Sequence, residues 1–211
     1  MPDRRRGLDR SCGVNSALAP YRSSDRQVWG TDFQVHTQLC RPEWFRPLGR
    51  EGEIPFPNEH FDLVAAIMVM EHVSDPDRFF REVARVLRTG GYFVGHTISA
   101  SHDVTWIRRC LGVLPHRANQ WLVRTLYGRR EEDTFPTHYR LNRLGQIRRV
   151  CRRSGLSDPM ITRYADPYSF RFSRLLQVAA IIVNRLLESV AGGWGRLYFT
   201  VKTRKVGPRG C

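Results

Sequence analysis

The spacing of apolar residues along the chain predicts alternating strands and helices. Phe61–Met70 (FDLVAAIMVM) is apolar almost throughout, which is typical of a parallel strand covered on both faces. A capped helix start follows at Ser74–Asp77, and Gly90-Gly91 marks the end of that helix. Helical spacing predicts one buried face, made of Phe79, Phe80, Val83, Val86 and Leu87. Tyr92–Ile98 predicts the next strand, so this segment is a βαβ unit with parallel strands and a right-handed crossover.

The remainder of the chain continues this alternation. Further strands are predicted at Gln27–Asp32, Pro159–Ala165 and Arg196–Thr203. Amphipathic or apolar helices are predicted within Asp103–Tyr127 and at Leu141–Ser154 and Phe172–Val190. No repeat or linker divides the chain, so we expect one domain over residues 1–211, with helical insertions at 103–130 and 172–190.

Composition adds a strong positive charge to this picture. The 211 residues carry a net charge of +14, and all of the 34 basic residues except Lys202 and Lys205 are arginine. Such uniform use of arginine indicates a codon bias, so the individual charges are weak evidence for a partner. The field itself would still attract anionic surfaces, either phospholipid headgroups or nucleic acid.

Cysteine usage and hydropathy point to a cytoplasmic protein. The five cysteines are scattered and include no C-x-x-C pair, which favours reduced thiols over a disulfide framework or a zinc site. The longest apolar stretch, Leu175–Val190, is interrupted by polar residues and is too short to span a membrane. The basic residues start at Arg4 with no apolar h-region after them, so no signal peptide is expected. Peripheral contact with an anionic membrane stays open.

The segment Ile54–Ser99 carries a family pattern. In order, it contains Ile54-Pro55-Phe56-Pro57, Phe61-Asp62, Met70-Glu71-His72-Val73, Asp75-Pro76 and Leu87-Arg88-Thr89-Gly90-Gly91. This closely resembles class I S-adenosylmethionine-dependent methyltransferases of the ubiquinone and menaquinone biosynthesis type, with Thr89 replacing the usual proline. The resemblance implies an α/β fold, a Rossmann-like three-layer sandwich. Its mostly parallel sheet would have seven strands, the last of them antiparallel.

The resemblance also implies a set of cofactor-binding residues. Leu8–Asn15 aligns with the family's glycine-rich first motif, in which the backbone must approach the cofactor closely. Ser11 and Asn15 stand where glycines are expected. An acid that ends the second strand, here Asp32, would bind the ribose hydroxyls of S-adenosylmethionine, although a helix N-cap is its alternative role. The full expected set is Asp9, Ser11, Gly13, Asn15, Asp32, Glu51 and Ile67.

Two departures weaken the match to this cofactor site. The first strand should be apolar before Asp9, but Arg4-Arg5-Arg6 stands there, and burying arginines in a central strand is costly. We therefore expect a truncated, wrongly assigned or degenerate N-terminal segment. Arg50 occupies the position of an adenine-binding aspartate, so neighbouring Glu51 is the substitute candidate.

His72 is the candidate catalytic residue. A histidine at the mouth of the cofactor site could act as a general base, while a purely structural turn is the competing interpretation. The expected function is methyl transfer to a small-molecule acceptor, with a hydrophobic substrate open. A non-catalytic member with impaired cofactor binding and a basic RNA-associated protein are the alternatives. The scattered arginines and the lack of an RNA-recognition motif argue against nucleic acid. No metal site is expected, and the oligomeric state is not predicted.

Overall fold

The computed structural model describes residues 5–9, 21, 23–33, 44–98, 138, 140–141, 143–164, 174, 178, 182 and 198–207. Six strands and two α-helices lie in this part of the chain. The strands are β1 (Arg5–Asp9), β2 (Arg26–Gly30), β3 (Phe61–Ile67), β4 (Leu87–Ile98), β5 (Met160–Tyr164) and β6 (Tyr198–Arg204). The helices are α1 (Pro76–Val86) and α2 (Leu144–Arg153), and a short 3₁₀ turn covers Met70–His72.

The strands form one mixed sheet in the order β2-β1-β3-β4-β6-β5. β1 pairs in parallel with β2 and β3, and β3 pairs in parallel with β4. β6 runs antiparallel to β4, because the Gly90 amide donates to the Lys205 carbonyl at 2.9 Å while His96 contacts Thr200 at 3.0 Å. The predicted α/β architecture, with a mostly parallel sheet and an antiparallel last strand, is confirmed.

The strand count differs from the expected seven. The described residues form six strands, and beyond β2 the sheet is continued by a single parallel bridge between Gly30 and Phe45. One bridge does not make a strand. Residues 34–43, which precede Phe45, lie outside the described part of the chain.

β1 corrects the expectation that arginines exclude a central strand. It lies between β2 and β3, and its buried residues are Leu8 and Asp9 at its carboxyl end. Arg5 and Arg6 lie at the amino end, where their side chains are exposed or partly exposed. The Arg6 amide also donates to Asp62 Oδ2 at 2.7 Å. The desolvation cost is therefore avoided for Arg5, whereas Arg6 still buries its Nε without a hydrogen-bond partner.

Gly90-Gly91 has a different role from the one predicted. α1 ends at Val86, and the two glycines lie inside β4, where the register with β3 shifts between Phe61 and Leu63. Gly90 has a φ of 86°, and a Cβ on Gly91 would lie 3.0 Å from the Asp62 carbonyl oxygen. The glycines thus build a bulge that side chains would obstruct.

The core lies between β3, β4 and α1. Phe79 and Phe80 of α1 meet Phe93 of β4 edge-on, with ring centroids 6.0 and 5.3 Å apart. Val64 of β3 and Ile147 of α2 are completely buried. This apolar layer follows the predicted helical face of α1 and fixes the helix against the sheet.

The chain divides into two compact units. One comprises residues 1–97, 138–162 and 200–211, and the other residues 98–137 and 163–199. The predicted insertions fall in the second unit, and nearly all of their residues lie outside the described part of the chain. The described residues Arg174, Val178 and Ile182 have helical backbone. The single-domain organisation therefore stays a prediction. No helix among the described residues is long and apolar enough to cross a membrane.

Candidate functional site

The ends of β1 and β2 meet at what we term the carboxyl edge, the side of the sheet where the parallel strands terminate. The Thr31 amide donates to the Asp9 carbonyl at 2.9 Å and so ties the two strand ends together. Asp9 and Thr31 are completely buried, and Thr31 Oγ1 has no hydrogen-bond partner. A buried hydroxyl without a partner is costly, which is common where a ligand completes the hydrogen bonding.

Asp32 lies next to this pair and is partly exposed. Its Oδ1 accepts a hydrogen bond from the Phe33 amide at 2.7 Å, and its carbonyl accepts one from the Leu48 amide at 2.9 Å. The backbone bond fixes the loop, and the Phe33 bond holds the carboxylate at the carboxyl edge. The structure thus brings Asp9 and Asp32 together.

The third strand contributes strained backbone to the same edge. Ile67 ends β3, and the following Met68 has a φ of 55°, a left-handed conformation that is unfavourable for methionine. The Met68 amide donates to the His96 carbonyl of β4 at 2.7 Å, which holds the strained turn in place. Strained residues of this kind cluster at ligand sites.

His72 lies in the 3₁₀ turn that follows this strained segment. Its Nε2 is 4.0 Å from Oε1 of Glu71, and its side chain is 30% exposed. Glu71 itself is almost completely buried, and its Oε2 accepts a hydrogen bond of 2.5 Å from Thr97 Oγ1 of β4. The predicted catalytic candidate therefore stands beside a buried carboxylate.

His96 was missed by sequence reasoning. Its Nδ1 is 3.0 Å from Thr200 Oγ1 on β6. Burial lowers the pKa of His96, and the negative charge of Glu71 acts in the opposite direction. The sequence signal that could have indicated His96 was the polar pair His96-Thr97 near the end of an otherwise apolar strand.

Glu51 lies in a turn shortly before Ile54, and its side chain contacts α1. Its carboxylate is exposed and forms an ion pair with Arg78 of α1. The hydrogen bond with Glu51 raises the pKa of Arg78, and burial acts in the opposite direction. The adenine contact of Glu51 stays a prediction. Ser11, Gly13 and Asn15 lie outside the described residues.

The segment Ile54–Asn58 is held by an ion pair on α1. The Arg85 guanidinium donates to Glu82 and to the carbonyl oxygens of Ile54 and Phe56, each at 2.8 Å. Glu82 Oε2 in turn accepts from the Ile54 amide at 2.8 Å. We call Glu82 and Arg85 the loop clamp. Hydrogen bonds to the loop clamp on α1 thus hold Ile54–Asn58 in position.

Metal ligation has no support in the part of the chain that the structure describes. No group of three or more His, Cys, Asp or Glu side chains there could hold a metal ion. Among the described residues, the polar groups at the carboxyl edge include three acids, two buried hydroxyls and two histidine rings: Asp9, Asp32, Glu71, Thr31, Thr97, His72 and His96.

Part of the chain is similar to known proteins. Residues 8–95 match the family described as a methyltransferase domain. The phosphatidylethanolamine N-methyltransferase of Cereibacter sphaeroides is 36% identical over 94 residues, which cover 39% of this chain and 46% of that protein. A ubiquinone biosynthesis O-methyltransferase of Methylobacterium sp. is 29% identical over 128 residues, covering 54% of this chain and 51% of that protein.

Solved structures show the same fold. An S-adenosylmethionine-dependent methyltransferase from Archaeoglobus fulgidus has a TM-score of 0.58 at 15% identity, covering 96% of this chain and 86% of that one. The phosphoethanolamine N-methyltransferase 2 of Haemonchus contortus, in complex with S-adenosyl-L-methionine, has a TM-score of 0.55 at 16% identity; the match covers 98% of this chain and 50% of that one. These likenesses confirm the Rossmann-like fold. In sequence, the chain spans 37%, 46% and 51% of the length of three curated relatives.

Proposed function

We propose that the chain transfers a methyl group from S-adenosylmethionine to a small-molecule acceptor, a proposal supported by the match of residues 8–95 to a methyltransferase domain. The observation that carries the proposal is the meeting of Asp9, Thr31 and Asp32 at the carboxyl ends of the parallel strands β1 and β2. In open α/β sheets, ligands bind outside the carboxyl ends of the strands.

The residues present fit an adenosyl group. Asp32 would offer its partly exposed carboxylate to the ribose hydroxyls. Thr31, the preceding residue, has a buried Oγ1 with no hydrogen-bond partner. Ile67 would border the cofactor through its backbone, and Glu51 would reach the adenine after leaving Arg78. Asp9 would anchor the first motif, whose Ser11, Gly13 and Asn15 are the other proposed cofactor contacts; Gly13 is the one of these three without a Cβ.

The proposed chemistry needs mainly alignment. When bound, S-adenosylmethionine supplies a methyl group attached to a positively charged sulfonium, which an acceptor can displace in line. His72 would take the acceptor's proton, since a partly exposed imidazole at the site is suited to general-base work. The sheet and the loop clamp would hold these groups in place, and such positioning supplies a large part of the rate.

The acceptor is proposed only as a small molecule. The curated relatives include both an N-methyltransferase and an O-methyltransferase, so their names do not select one acceptor atom. A hydrophobic acceptor presented by an anionic membrane fits the net charge of +14 and the exposed side chains of Val178 and Ile182. Sedimentation with anionic and neutral vesicles tests this contact, and equal binding to both vesicle types would refute the electrostatic part.

Calorimetric titration with S-adenosylmethionine tests cofactor binding directly. Asp32→Asn should weaken binding by about 10- to 100-fold, the equivalent of one hydrogen bond to a charged group. Asp25→Asn is the matched control, because Asp25 is an exposed acid that immediately precedes the amino end of β2. It should bind like the wild type. If the wild type gives no binding at millimolar cofactor, the chain is a non-catalytic member of the fold.

A further inference from the structure

A buried carboxylate at the carboxyl edge is not used by the proposed function. The Glu71 residue is 2% exposed, although most glutamates are solvated. Burying a charged group is costly unless hydrogen bonds and opposite charges compensate. The Glu71 carboxylate therefore requires an explanation from its surroundings.

The surroundings hold this side chain by a hydrogen bond at one carboxylate oxygen and place the other oxygen near His72. Oε2 accepts the Thr97 hydroxyl at 2.5 Å, and Thr97 is itself completely buried in β4. Oε1 is 4.0 Å from Nε2 of His72. The Glu71 carbonyl also accepts a hydrogen bond from the His138 amide at 2.8 Å, which fixes the backbone. The carboxylate is thus anchored on β4 on one side and directed at His72 on the other.

We propose that Glu71 is a positioning residue, which orients the His72 ring toward the acceptor and stabilises the charge that the ring acquires. The inference rests on the proposed methyl transfer. In that step the acceptor atom forms a bond to the methyl carbon, and the carbon–sulfur bond breaks with its electron pair left on sulfur. The acceptor's proton passes to His72, and the protonated ring then faces the Glu71 carboxylate. Opposite charges at this distance in a half-buried site attract appreciably.

Thr97 gives this arrangement its rigidity. Without the Thr97 hydroxyl, the carboxylate would lose its anchor but keep its charge. Glu71→Gln would do the reverse, because the amide oxygen can still accept from Thr97 while the charge is lost. The two variants therefore separate the effect of the charge from the effect of the anchor.

The test compares kcat, the KM for S-adenosylmethionine and the affinity for this cofactor in Glu71→Gln and Thr97→Val. Glu71→Gln should lower kcat at least tenfold while cofactor KM and Kd stay within twofold of the wild type. Thr97→Val should lower kcat by less. Glu59→Gln, an exposed acid at the opposite edge of the sheet, is the control and should leave all three values unchanged.

A spectroscopic readout covers the case in which no acceptor has been found. Histidine ring signals in NMR, assigned through His72→Asn and His96→Asn, should show the His72 ring signal moving in Glu71→Gln. The pKa of His96 should fall as well, because the Glu71 charge raises it. Rescue by Glu71→Asp, which retains the charge on a shorter side chain, should be partial.

The outcomes separate the two proposals. If the wild type binds no S-adenosylmethionine, the proposed function fails. If the wild type binds the cofactor and Glu71→Gln has wild-type kcat, or leaves the His72 signal unmoved when no acceptor is known, the positioning role is overturned. A loss of cofactor affinity matching the loss of kcat would also overturn it, since this would indicate a structural role.

Discussion

Arg85 is the residue whose removal should most clearly expose how the loop is held to α1. Its guanidinium donates to the carbonyl oxygens of Ile54 and Phe56 at 2.8 Å, to Asn58 Oδ1 at 3.0 Å and to both carboxylate oxygens of Glu82 at 2.8 Å. Arg85→Met retains most of the aliphatic stem and removes all of these bonds. The change therefore tests the hydrogen bonds rather than the packing.

The magnitude follows from what Arg85→Met leaves behind. The Phe56 carbonyl loses the Arg85 donor, the Ile54 carbonyl keeps only the Phe56 amide, and Glu82 loses its cation while its side chain is only 17% exposed. A hydrogen bond to a charged group contributes about 1.5–3 kcal/mol, and partial exposure of the pair reduces each contribution. We expect a loss of about 2–4 kcal/mol in the free energy of unfolding. For a chain of this length that corresponds to a fall in Tm of about 4–16 °C.

Thermal and urea unfolding, followed by circular dichroism, measure the effect. Arg81→Met is the matched control, because Arg81 is exposed on the same helix; its free energy of unfolding should change by less than about 0.5 kcal/mol. In the double variant with Glu82→Met, the two losses should be clearly less than additive. Arg85→Met with a stability equal to that of Arg81→Met would refute the clamp.

Two further predictions concern the strained turn at Met68 and the amino edge, the side of the sheet where the parallel strands begin. Met68→Gly should leave the free energy of unfolding within about 1 kcal/mol of the wild type, whereas the β-branched Met68→Ile should lower it by more, because φ is 55°; equal unfolding midpoints in urea would contradict this. Burial and then the guanidinium groups of Arg6, Arg88 and Arg46 lower the pKa of His60 from 6.5. The neutral ring therefore stabilises the fold fully above pH 6.5, and this contribution is lost as pH falls through the lowered pKa. His60→Gln should weaken that acid dependence in urea titrations from pH 7 to 5, and an unchanged slope would contradict it.

The sequence predicted those elements whose apolar pattern is local. β3 and the buried face of α1 could be found because their apolar residues follow the periods of a strand and of a helix. The helix boundary was wrong because Gly90-Gly91 also suits a bulge, and only pairing with β3 decides between the two. The presence of the elements around the site was thus predicted better than the residues at which they begin and end.

Contacts between distant residues could not be predicted in this way. Arg85 and Ile54 are 31 residues apart, and no periodic pattern marks their pairing. β1 was expected to be truncated or degenerate because arginines were assigned the burial of a whole central strand, whereas Arg5 and Arg6 occupy only its amino end. His96 depends on β6, more than 100 residues later, for its Thr200 contact. Tertiary contacts therefore decided all three cases.

Amide shift mapping with S-adenosylmethionine tests the central claim most directly. In ¹H–¹⁵N spectra of the whole chain, the cofactor should shift the amides of Asp9, Thr31 and Asp32 at the carboxyl edge. Amides at the amino edge, such as Arg26 and Arg88, should not move. Shifts confined to the amino edge, or no saturable shifts at millimolar cofactor, would contradict a methyltransferase site at the ends of β1 and β2.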